Sequence, residues 1–178
     1  VFYYFEQIAA IPHGSRNTKA ISDFLVNFAK EHNLVWYQDE NNNVVIVKEA
    51  SAGYEAAEPI IIQGHMDMVC EKEKGVDIDF EKDGLKLYID GDFLKAEGTT
   101  LGGDDGIAVA YALALLDSQE IAHPKLEVVI TVDEEIGMLG ADAIDLSMLT
   151  GHTMLNIDSD VEGSFLTGCA GGMAVNVT

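Results

Sequence analysis

Ten consecutive residues from Ile107 to Leu116 (IAVAYALALL) carry no charge and no amide, so a helix built from them has no face suited to water. A bilayer needs about 20 apolar residues, and no window of the chain approaches that length. The segment must therefore be covered by protein, and it reads as a helix buried against a β-sheet.

The flanking pattern supplies that sheet. Apolar runs at 58–63 (EPIIIQ), 126–132 and 153–157 read as strands, the first of them buried. Residues 35–38 and 43–48 read as a hairpin across an Asp-Glu-Asn-Asn turn, and 85–89 and 93–95 as a second across Asp90-Gly91. A short helix is expected over 2–10, ending before Pro12. A second, over 18–31, carries Ile21, Phe24, Leu25, Phe28 and Ala29 at helical spacing. Residues 12–17 read as a turn, 71–83 as charged and irregular, 98–103 as a Gly-rich loop, and 165–167 as a last strand before CAGG at 169–172. Alternating strands and helices predict an α/β fold: a mixed, largely parallel sheet layered between helices, with no internal repeat.

Charge narrows the function. With 31 acids against 10 bases the net charge is -21, which excludes nucleic acid and anionic membranes as partners. No basic segment followed by an apolar stretch opens the chain, and Cys70 and Cys169 stand far apart with no CxxC spacing. A cytoplasmic protein with two structural cysteines is expected.

Four segments share one design, an apolar run or glycine loop followed at once by acids or histidine: QGHMDMV (63–69), LGGDDGI (101–107), VDEEIGMLGA (132–141) and NIDSD (156–160). Ligands of α/β sheets sit beyond the carboxyl ends of the strands, so these side chains are expected to converge on one sheet edge. His65 and Asp67 lie two apart and point the same way in extended chain, which suits a metal-binding imidazole and its carboxylate partner. Asp104 and Asp105 repel each other unless a cation lies between them. Of Glu134 and Glu135, one can hold a metal while the other takes a proton from water. Asp158 follows an apolar strand. Singly, each has a plain alternative: a buried His–Asp pair, a helix cap, an acid pair at a helix start, a turn. Together, one histidine and several carboxylates at strand ends fit zinc or manganese. No Ser-His-Asp or Cys-His set, GxSxG, Walker loop or GxGxxG competes.

At these residues the chain resembles the dinuclear zinc aminoacylase and dipeptidase family, and within it the branch that cleaves Xaa-His and other dipeptides. The matching stretches are IPHGS, QGHMDMVCEK, GTTLGGDDGIAVA, VDEEIGMLGA and NIDSDVEG followed by GCAGG, spread over residues 11 to 172. The resemblance implies a metallodipeptidase using two divalent metals, zinc foremost, with manganese or cobalt as alternatives. It implies that His65 and Asp158 bind one metal, Glu135 the other, and Asp104 bridges them. Asp67 would orient His65, and Glu134 would be the general base. A non-proline cis peptide is expected after Asp104.

The family's usual Asn after the bridging acid is Asp105 here. The resemblance also makes residues 1–178 the N-terminal portion of a catalytic domain, without the lid domain and return segment that supplies a last histidine. The chain alone is then expected to be inactive. The full-length protein is expected to act on dipeptides and to form a homodimer. His13, His32, His123 and His152 fall in no matching motif and read as structural or surface residues. The rival readings are an aminoacylase or tripeptidase with the same site, and a non-catalytic metal-binding domain.

Overall fold

A computed structural model describes residues 1–159, 161 and 163–168. Helices α1 (Phe2–Ala9) and α2 (Lys19–Glu31) precede the hairpin β1 (Val35–Gln38) and β2 (Val44–Lys48). Next come β3 (Ile60–His65), the hairpin β4 (Leu87–Asp90) and β5 (Phe93–Ala96), and α3 (Gly103–Asp117). The chain continues through β6 (Leu126–Thr131), α4 (Leu139–Ala143) and β7 (Thr153–Asn156). The main sheet has five strands in the order β1-β2-β6-β3-β7, and β4 and β5 pair separately. It is mixed: β1, β2 and β6 run antiparallel in turn, whereas β6, β3 and β7 are mutually parallel.

The two faces are covered unequally. Helices α1, α2 and α3 pack on one face, burying Phe5, Ile8, Ile21, Leu25 and Leu113 against Ile46, Ile62, Val128 and Ile130. On the other, Val45, Val47 and Val129 lie beneath Ile144 and Leu149, from the segment that follows α4. The apolar helix is α3, lying between α1 and β3, and only Tyr111 of its 107–116 run is exposed. The two hairpins form where expected, and Gly91 takes the left-handed φ of 61° that the β4–β5 turn requires.

One expectation differs, and one element was not anticipated. Residues 165–167 form no strand, and Phe165 and Leu166 are 92% and 82% exposed. Helix α4 has only five residues, too few to show a helical period. Cys169 and the CAGG segment lie outside the described residues.

A buried carboxylate links β6 to the approach of β7. Glu127 is fully buried and accepts from the Thr150 hydroxyl (2.6 Å), the Thr150 and Gly151 N–H groups (2.9 Å each) and Lys125 Nζ (2.9 Å). Burial pushes its carboxyl up, but these donors more than offset that and hold it at about 2. A depressed acid stabilises the fold above its unfolded value and loses that contribution as pH falls through its folded value. Glu127→Gln is therefore expected to cost about 3 kcal/mol at neutral pH, and urea titrations should show the difference vanishing between about pH 4.5 and 2.

Candidate active site

Because β6, β3 and β7 are parallel, their carboxyl ends reach the same edge of the sheet. His65 is the last residue of β3, opposite Thr131 of β6. Gln63 pairs with Asn156, so Asp158 follows β7 as His65 follows Gln63. Glu134 and Glu135 follow β6, and Asp104 comes from the first turn of α3. There the peptide between Asp104 and Asp105 is cis, as the resemblance implies, and both residues leave helical φ/ψ.

The structure brings all six candidate residues together. One ligand atom each from His65, Asp104 and Glu135 lies within 4.8 Å of the others, and the same holds for His65, Glu134 and Asp158. His65 Nε2 is 3.0 Å from Asp104 Oδ1 and 3.8 Å from Glu134 Oε2. Its Nδ1 donates to the Asp67 carbonyl oxygen at 2.9 Å, with Asp67 Oδ1 at 3.4 Å. That contact fixes the ring and leaves Nε2 to face the cluster.

Both ring nitrogens face acceptors. Burial disfavours a charged imidazole, yet Asp67, Asp104 and Asp105 push His65 up to about 10. Burial, then Asp158, Asp67 and Asp104, hold Glu134 above the usual carboxylate range against the pull of His65. Burial and the nearby Asp104 raise Glu135 likewise. An imidazole nitrogen among oxygen donors, with like charges whose repulsion a cation would relieve, fits a divalent metal.

Asp67 does more than face His65. Its buried carboxylate accepts the Ser15 hydroxyl at 2.8 Å, the Glu134 N–H at 3.0 Å and the Glu135 N–H at 3.4 Å. One side chain thus ties the loop after β6 to the loop before α2. Sequence spacing pointed only to its histidine partner, because the other three lie 52 to 68 residues away. Ser15 stood only as part of the IPHGS match.

Asp105 is also buried, and its Oδ2 accepts the His65 N–H at 3.2 Å. A Cβ at Gly64 would lie 2.6 Å from that oxygen, so glycine is needed for β3 to pass so close. Burial first, then Asp158 and Asp104, push Asp105 up to about 7 despite the pull of His65. The other histidines lie apart from the two ligand sets. His13 and His123 are buried with Nδ1 on backbone carbonyl oxygens, His32 stacks on Phe28, and His152 is exposed.

The profile of Peptidase family M20/M25/M40 matches residues 61–169. The chain is 41% identical to the cytosol non-specific dipeptidase of Escherichia coli over 95% of its own length and 35% of that protein's. Aminoacylhistidine dipeptidase from Vibrio alginolyticus superposes with a TM-score of 0.87 at 42% identity, over 90% of this chain and 33% of that one. A tripeptidase from Staphylococcus aureus shares the fold, with a TM-score of 0.74 at 22% identity, over 90% of this chain and 43% of that one. The chain thus spans about a third of the length of the two dipeptidases it matches.

Proposed function

This chain belongs to peptidase family M20/M25/M40, and from that premise we propose that the whole protein is a metallodipeptidase cleaving Xaa-His and other dipeptides. The observation that carries the proposal is the meeting at one sheet edge of two ligand sets that share His65, one with Asp104 and Glu135 and the other with Glu134 and Asp158. A purely structural acid cluster has no reason to gather round an imidazole at the ends of three parallel strands.

His65 and Asp158 would hold one divalent cation and Glu135 the other, with Asp104 shared between them. When bound, the cations supply Lewis acidity: they polarise the scissile carbonyl and acidify the attacking water. Glu134 takes a proton from that water as it attacks the peptide carbon, then passes it to the leaving amine. Its raised affinity for protons suits both halves of the task. Asp67 keeps the imidazole turned and holds the backbone of Glu134 and Glu135 in place. His65 occurs in both ligand sets, yet its Nδ1 is engaged by Asp67 and a single Nε2 can serve one cation. The family resemblance implies a further histidine for the second cation, in the part of its relatives' length that this chain does not span. The proposal also makes the protein cytoplasmic. In keeping with this, its E. coli relative is described as cytosolic, and no helix among the described residues is long and apolar enough to cross a membrane.

The test is metal analysis of the full-length protein alongside hydrolysis of an Xaa-His dipeptide, an N-acyl amino acid and a tripeptide. We expect two divalent ions per chain, preference for the dipeptide, and activity that is lost on chelation and restored by zinc, manganese or cobalt. Turnover that survives complete chelation would sink the metal mechanism. Preference for either of the other substrates would move the protein to a different branch of the family.

A further inference from the structure

We propose that Asn43 is a positioning residue for Glu134 and Glu135: its side-chain amide clamps the two stems of the loop that carries them. The inference rests on the functional reading of those two glutamates.

Asn43 sits just before β2, far from the cluster in sequence, and is fully buried. Its Oδ1 accepts the Val132 N–H at 3.0 Å, and its Nδ2 donates to the Gly140 carbonyl at 3.1 Å. Gly140 N–H in turn donates to the Val132 carbonyl at 3.0 Å. Val132 and Gly140 are the two stems of the loop that contains Glu134 and Glu135, so the amide closes a ring at its base. The remaining Nδ2 hydrogen goes to Asp39 Oδ2 at 2.7 Å. Two acceptors on one side and one donor on the other allow only one orientation of the amide.

Asp39 holds the clamp from behind. Its Oδ1 accepts the N–H groups of Asn41 (2.9 Å) and Asn43 (2.8 Å), fixing the β1–β2 turn around the amide. The fit is tight: a Cβ at Gly140 would lie 2.4 Å from the Val132 carbonyl oxygen and 2.5 Å from Asn43 Oδ1. Inside the loop, Gly137 and Met138 both donate to the Glu134 carbonyl at 2.9 Å. The glutamates are therefore held from two sides, by Asp67 at their own N–H groups and by Asn43 at the stems. None of the hydrogen bonds of Asn43 reaches His65, Asp104 or Asp158. Its loss should thus act on one part of the site and spare the rest.

The test compares Asn43→Ala with wild type in the full-length protein, with Asn43→Asp as a second variant. Asn43→Asp keeps the volume and the acceptor for Val132 but turns the donor into an acceptor. Without metal, hydrogen exchange of the 134–140 amides should quicken by about tenfold or more in both variants, with β3 little changed. Affinity for the cation held by Glu135 should fall by about 10–100-fold, and affinity for the cation held by Asp158 by much less. Dipeptide kcat should fall by about 10–100-fold with KM nearly constant, as expected for misplaced catalytic groups.

Unchanged exchange over 134–140 would overturn the clamp. Equal acceleration through β3 and β6 would reduce Asn43 to a general structural residue. A loosened loop with cation affinities and kcat intact would overturn the positioning role. All three outcomes differ from a wild-type protein that binds no cation and cleaves no dipeptide, which would remove the functional premise and this inference with it.

Discussion

Glu134→Gln in the full-length protein is expected to lower kcat on a dipeptide by about 10²–10⁴-fold, the usual worth of a positioned general base. The substitution keeps the length and shape of the side chain. It removes the ability to take a proton from water at neutral pH. The backbone anchor survives, because Asp67 receives the Glu134 N–H rather than its carboxylate. The place of the loop should therefore not change.

The decisive comparison is with metal content, since Glu134 also lies within ligand distance of His65 and Asp158. A base that is not a ligand loses turnover while both cations stay bound. A ligand loses cation affinity in proportion to activity. Turnover within tenfold of wild type would refute the role of base, and parallel loss of metal and activity would reassign Glu134 as a ligand.

Asp104→Ala is expected to be as damaging to activity but nearly silent in the fold. The Asp104 side chain is 64% exposed and its hydrogen bond is to His65 Nε2, at 3.0 Å. With most of this side chain in solvent, truncation removes little packing. Without cations two effects oppose each other: removing Asp104 relieves its repulsion of Glu135 but takes a partner from the buried His65 imidazole. As the carboxylate shared between two cations, Asp104 would offset their mutual repulsion. Losing several kcal/mol of charge stabilisation, at about 1.4 kcal/mol per tenfold, corresponds to a drop of about 10³-fold in kcat/KM. Calorimetric metal titration and thermal melting of the metal-free protein check both halves. An Asp104→Ala protein that still binds two cations with wild-type affinity would exclude the bridging role.

Much of this architecture was legible along the chain. Helix α3 had to be buried because it offers no polar face, and the hairpins followed from Asp90-Gly91 and from the polar turn at 39–42. Short segments were less legible. Helix α4 is too short to show a period. Residues 165–167 are apolar enough for a strand, but a strand needs a neighbour, and composition does not supply one.

For the site, the sequence by itself determined the inventory: one histidine and the carboxylates, each placed just beyond an apolar run, and the motifs that tie the chain to its family. Local pattern suffices there because strand ends and turn residues are written within a few positions of one another. Only the tertiary structure decided how the inventory is held. The parallel order β6-β3-β7 brings the three strand ends to one edge. Asp67 proves to anchor the glutamate loop as well as to face His65. Asn43 meets Val132 and Gly140 across 89 and 97 residues of chain. Such pairings have no local period or spacing. They exist because folding buries polar groups that must then find partners, and which partners they find depends on what the sheet brings near.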